Sequence, residues 1–280
     1  MAFTPDGDAL WIVSRGSLEI RAWPSLGLIA SAPFSTTKPV GLQCLAFHPA
    51  GRVAALGHSG SVRFLGMDGT PLERPAISTV EKSQLDAAVL ALAFDEQGRL
   101  LVARGSGVRA VLPDGSQAGV GEPPAEWLPS WIWRAAILPA SKQVAYCIND
   151  RSAAIFGWSD GRVPRDDEWA PGLFEDDHTS WLGADVAPGE RALVCGRKSG
   201  RTWVVHLRAG VPVRTVLVEK ALSRRTDLSK KPSRTTAHAI HPTDDALVYA
   251  EISGLVGHAK LSTGELVREL PSHSGGYAWE

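Results

Sequence analysis

The chain has 280 residues, 44% of them hydrophobic, and a formal net charge of −1. That is enough apolar material for one large core, and the charge balance argues against bulk attraction to nucleic acid or to a membrane surface. No window approaches about 18 uninterrupted apolar residues and no basic start precedes an apolar run, so neither a membrane span nor a secretory leader is expected.

Taken in order, the chain repeats one plan six times. A short apolar strand meets a turn at Pro5, Pro49, Glu96, Pro139, Pro188 and Pro242. A second strand follows and turns at Gly16, Gly60, Gly105, Asp150, Gly200 and Gly254. A third strand closes at Gly27, Gly69, Gly115, Gly161, Gly210 and Gly264. The first and third sets advance by 42 to 54 residues and lengthen together toward the C-terminus. Three turn markers keeping step over six units define a repeat architecture.

The apolar pattern predicts strands. Ala2-Phe3, Leu45-Ala46-Phe47, Leu92-Ala93-Phe94, Ala136-Ile137, Ala184-Asp185-Val186 and Ala239-Ile240 precede the first turn. The second strands, such as Leu100–Ala103 and Leu247–Ala250, are nearly continuously apolar, as expected for strands covered on both faces. A fourth strand is predicted after each closing glycine: 28–34, 71–77, 117–120, 162–169, 211–219 and 265–270. No window sustains helical periodicity; the nearest, 80–91, reads as a link between units two and three.

Ala2-Phe-Thr-Pro-Asp-Gly7 and Leu45-Ala-Phe-His-Pro-Ala-Gly51, with Arg21-Ala-Trp23 and Phe156-Gly-Trp158, resemble the WD-repeat family of β-propellers. The resemblance covers nearly the whole chain, although the Trp-Asp dipeptide is absent. It implies an all-β fold: a single six-bladed β-propeller of four-stranded antiparallel blades, with seven blades, one incomplete, as the alternative. The expected units are 1–34, 41–77, 88–120, 131–169, 181–219 and 235–270. The segment 271–280 is expected to close the ring by completing the blade that the N-terminus begins. The family resemblance also implies a protein-interaction module.

Two long links depart from the plan. The stretch 166–178 carries six acidic residues, among them Asp176 and Asp177. The stretch 220–234 carries six basic residues, among them Arg224, Arg225, Lys230 and Lys231, against one Asp. Long loops on a rigid scaffold are where binding concentrates. The basic link can take a phosphate, RNA or an acidic protein surface, or the two links can pair with each other. It lacks the interleaved aromatics that base stacking needs, so nucleic acid is not the favoured partner. Trp131, Trp133 and Trp181 fall on the same expected face, where Trp serves as an interface anchor or as packing between blades.

Catalytic and metal signals are weak. His238 and His241 are three apart on an expected strand and point to opposite faces, while His48 and His241 sit at a repeat position beside the turn proline. Cys44, Cys147 and Cys195 fall in expected strands and read as buried free thiols of a reducing compartment. No nucleophile elbow or phosphate loop leads into a helix. Asp185 is the one obvious carboxylate placed to face a channel, and alone it cannot supply paired acid–base chemistry. Six-bladed lactonase-like hydrolases hold calcium with Glu, Asn and Asp in the channel, and this chain has a single Asn, Asn149, at a hairpin turn. The expectation is therefore a cytoplasmic, non-enzymatic scaffold with a protein partner and no cofactor or metal. A channel hydrolase and an RNA- or phosphate-binding protein are the alternatives.

Overall fold

Among the described residues, short runs of branched and small apolar residues, cut by Pro- and Gly-bearing turns, pair with their sequence neighbours. Each set of consecutive strands forms one antiparallel sheet, which is the simplest way to satisfy backbone groups across short turns. Blade I holds β1 (Ala2–Phe3), β2 (Ala9–Ser14), β3 (Ser17–Ala22) and β4 (Leu28–Pro33). Blade II holds β5 (Gln43–Phe47), β6 (Ala54–His58), β7 (Ser61–Leu65) and β8 (Ile77–Ser78). Blade III holds β9 (Ala91–Phe94), β10 (Leu100–Arg104), β11 (Gly107–Val111) and β12 (Gln117–Gly121). Blade IV shows β13 (Ile132–Leu138), β14 (Gln143–Ile148) and β15 (Ala154–Gly157). Blade V holds β16 (Trp181–Val186), β17 (Ala192–Arg197), β18 (Thr202–Arg208) and β19 (Val211–Leu217). Blade VI holds β20 (Thr235–Ile240), β21 (Leu247–Glu251), β22 (Val256–Ala259) and β23 (Leu266–Leu270).

The structure, a computed structural model, describes residues 1–14, 17–33, 43–58, 60–73, 77–78, 88–111, 116–122, 132–148, 154–158, 181–197, 201–218, 235–251 and 256–270. Among these residues no helix is long and apolar enough to cross a membrane. The fourth strand expected at 162–169 and the closure tail at 271–280 lie outside them. Of the fourth strand expected in blade II at 71–77, the described residues show a bridge joining Leu65 to Pro71 and β8 at Ile77–Ser78.

Six apolar clusters, one between each pair of neighbouring blades, hold the sheets together. Trp11 and Leu18 meet Ala54 and Leu56 between blades I and II, and Val62 meets Val102 and Val111 between II and III. Val108 meets Tyr146 and Phe156 between III and IV, and Leu138 and Ile155 meet Leu193 and Trp203 between IV and V. Val194 and Val204 meet Tyr249 and Leu261 between V and VI. Phe3 and Leu10 meet Val248 and Val256 between VI and I, which makes the set a closed ring. Covered by blades on both faces, β10 and β21 are buried at every position.

The turns after the innermost strands clasp neighbouring blades. In blade VI the Nδ1 of His241 accepts the Asp244 N–H at 2.8 Å, which places the proton on Nε2. That Nε2–H donates to Gly7 O of blade I at 3.1 Å, while the ring lies edge-on to Phe3, centroids 4.9 Å apart. Blade II repeats the device: His48 Nδ1 accepts Ala50 N–H at 3.1 Å, and the ring packs on Phe94 of blade III at 5.1 Å and against Gly98. Between IV and V a carboxylate does the work. Glu190, in the 3-10 turn Pro188–Glu190, accepts the Ser141 N–H at 3.0 Å, the Ala140 N–H at 2.5 Å and the Ser141 hydroxyl.

Candidate functional site: the central cavity

Strand pairing fixes an equivalent position in every blade. Phe3, Phe47, Phe94, Ile137, Val186 and Ile240 pair with Leu10, Ala54, Leu100, Val144, Leu193 and Leu247 of the second strands. One residue earlier stand Ala2, Ala46, Ala93, Ala136, Asp185 and Ala239, and all six line a central cavity of about 530 Å³. The six turn residues that mark the repeat in the sequence, Pro5, Pro49, Glu96, Pro139, Pro188 and Pro242, line it as well. Small side chains are what a ring of six inner strands can converge on without collision.

Against that alanine column three groups stand out, in three consecutive blades. Arg134 of β13 lines the cavity and is partly exposed. Asp185 of β16 lines it with 41% of its side chain exposed. His238 of β20 is 1% exposed, and its Nδ1 lies 3.1 Å from Asp185 Oδ2. The other nitrogen, Nε2, is buried with no partner among the described residues. Asp185 therefore faces the cavity as its strand position predicts, but it is not alone there. The partner is a histidine that, judged by spacing, carried no functional signal.

Two further groups of the wall are the Cys44 thiol and the Met1 α-amino group. The Cys44 thiol sits beneath Gly57, whose missing Cβ leaves it room, and points at Val89 O at 3.9 Å. Burial pushes this thiol up to about 12, so it stays protonated at neutral pH and is a poor nucleophile. Burial also lowers the Met1 α-amino group, opposed by the Asp185 carboxylate and reinforced by the Arg134 charge. Among the described residues no three His, Cys, Asp or Glu side chains gather to hold a metal ion.

Of the binding residues expected from sequence, Trp131, Asp176, Asp177, Arg224, Arg225, Lys230 and Lys231 lie outside the described residues. Trp133 and Trp181 belong by backbone to β13 and β16, and their side chains lie outside the described set. The tryptophans whose side chains are described serve packing. Trp11 is fully buried against Phe47 at 5.0 Å, Trp203 fills the core between IV and V, and Trp23 is edge-on to Phe3 and His258 at 5.0 Å each.

The ring, the four-stranded blades and the axial cavity define a β-propeller with the fold of the WD40-repeat proteins. A crystal structure of RRP9 WD40 repeats aligns with 97% of this chain and 79% of that one, with TM-score 0.62 and 15% identity. A structure of U3-55K aligns with 96% of this chain and 80% of its own, with TM-score 0.61 and 15% identity. At that identity the likeness is one of fold. No protein-family model matches the sequence, and no curated protein matches it.

Proposed function

We propose that the protein is a non-enzymatic interaction scaffold that carries a protein partner on the rim of its ring. The supporting observation is the character of its outermost strands. Leu28 and Ile29 of β4, Val211, Val213 and Leu217 of β19, and Val267 of β23 are each 40 to 60% exposed. They belong to blades V, VI and I, which are consecutive around the ring. Edge strands carrying apolar side chains are liabilities unless something covers them, and apolar anchors with a polar surround are what protein interfaces use. A net charge of −1 adds little repulsion toward a second protein.

Rim strands also suit a scaffold mechanically, because the ring is held by six inter-blade cores that a rim contact leaves untouched. The face carrying the two charged links and Trp131, Trp133 and Trp181 is proposed as a second contact region, on the sequence argument alone. The test is a pair of rim substitutions, Ile29→Lys and Val213→Lys, in the full chain. Both are expected to abolish the stoichiometric complex, a loss of about 2 kcal/mol or more each, while the melting temperature stays within a few degrees. A complex that survives both substitutions contradicts the proposal.

A further inference from the structure

We infer that the central cavity is a binding site for a small zwitterionic amino-carboxylate with an apolar body, its ammonium group held by Asp185 and its carboxylate by Arg134. Five blades place alanine where blade V places Asp185, so the fold itself needs no charge at that position. Two residues earlier on the inner strands, Cys44, Ala91, Arg134 and Ala237 line the cavity, and Arg134 is the only charged one of them. Within these two rows of inner-strand positions the two charges depart from small, uncharged side chains, on neighbouring blades, with opposite sign, while Glu96 and Glu190 line the cavity from the turns.

Among the described residues the protein leaves Arg134 unpaired and engages Asp185 at one oxygen. Arg134 makes no hydrogen bond or ion pair there, and Asp185 is engaged only at Oδ2, by His238. No ion pair joins Asp185 to Arg134 or to the Met1 α-amino group, although both side chains act electrostatically on the Cys44 thiol across the cavity. Two opposite charges facing one cavity, held apart rather than paired, can be bridged by a single ligand that carries both signs. A monoanion would meet Arg134 alone, and a monocation Asp185 alone. His238 fixes the carboxylate from behind, and its unpartnered Nε2 is a further polar group in the same wall. The apolar remainder, including Leu45, Leu92 and Phe94, suits an aliphatic or aromatic body. A volume of about 530 Å³ lies within the usual range of small-molecule sites.

The experiment is calorimetric titration of the full chain with L-leucine and 6-aminohexanoate, and with two singly charged analogues, 4-methylvalerate and isoamylamine. At least one zwitterion is expected to bind saturably below about 10 mM, with each analogue tenfold or more weaker. Arg134→Gln is expected to bring the zwitterion down to the amine, and Asp185→Asn to bring it down to the carboxylate, with melting temperatures unchanged. Arg134→Lys is expected to retain most of the binding. Equal binding of a zwitterion and either analogue, or no zwitterion binding in that range, overturns the inference. The wild-type series decides it without any variant.

Discussion

At Gly7 the backbone has φ +83°, and a Cβ there would collide with the His241 ring of the neighbouring blade. Gly98 is its counterpart, with φ +73° and His48 overhead. Gly51 has a similar backbone, φ +65°, but open space where a Cβ would stand. The three residues separate backbone strain from the clasp. Gly51→Ala is expected to cost about 1 kcal/mol, from the left-handed conformation alone. Gly7→Ala and Gly98→Ala are expected to cost about 2–4 kcal/mol, because overpacking adds to strain. Denaturant unfolding of the three variants checks this; equal costs would show that the histidines simply move aside. Cys44 gives a second residue-scale outcome. Its thiol is raised from 9.0 to about 12, so the native state keeps a proton that the unfolded chain releases. Its contribution is fully present below about pH 9 and falls as pH rises toward 12. Cys44 is accordingly expected to resist alkylation at pH 8 in the native protein and to react readily once unfolded, as mass spectrometry of the labelled peptide will report.

At the scale of the element, the blade was legible because its signals are local. Proline and glycine fix turn geometry within four residues, so Pro5, Pro49 and Gly51 announced their turns whatever lay around them. Asp185 was legible as a cavity residue for the same reason, since its place before the Pro188 turn assigns it to an inner strand. Arg134 and His238 were not, because an inner-strand residue meets the cavity or a neighbouring blade according to how each sheet is turned about the axis. The signal that finds them is a comparison of units: Asp185 stands in a column of alanines, and Arg134 lies two residues before Ala136 in that column. His238 shows itself only as the partner of Asp185. The exposure of Val211 and Val213 was equally hidden, since a fourth strand with another blade outside it would read the same. Glu190 carries the element-scale prediction. It accepts two backbone N–H groups and a hydroxyl from blade IV while nearly buried, so Glu190→Gln removes charge-assisted bonds from the junction of IV and V. The expected loss is about 2 kcal/mol with unchanged cooperativity in a melting curve.

At the scale of the molecule, ring closure divides the protein into an interior and a rim with different tasks. Every blade buries both faces against neighbours, so stability resides in the six cores and the clasps between turns. What remains for recognition is the axis and the perimeter. The axis concentrates Arg134, Asp185 and His238 in blades IV, V and VI, and among the described residues the exposed large apolar side chains of the perimeter lie in blades V, VI and I. The most direct measurement is site-specific photo-crosslinking in the native host. A photoreactive residue is placed at Val213 on β19, and the control carries it at Ala118, an exposed position on the outer strand β12 of blade III across the ring. A scaffold working through its rim is predicted to give one discrete protein adduct from position 213, lost on adding Ile29→Lys, and none from position 118. Equal labelling from both positions, or no adduct from position 213, would contradict it.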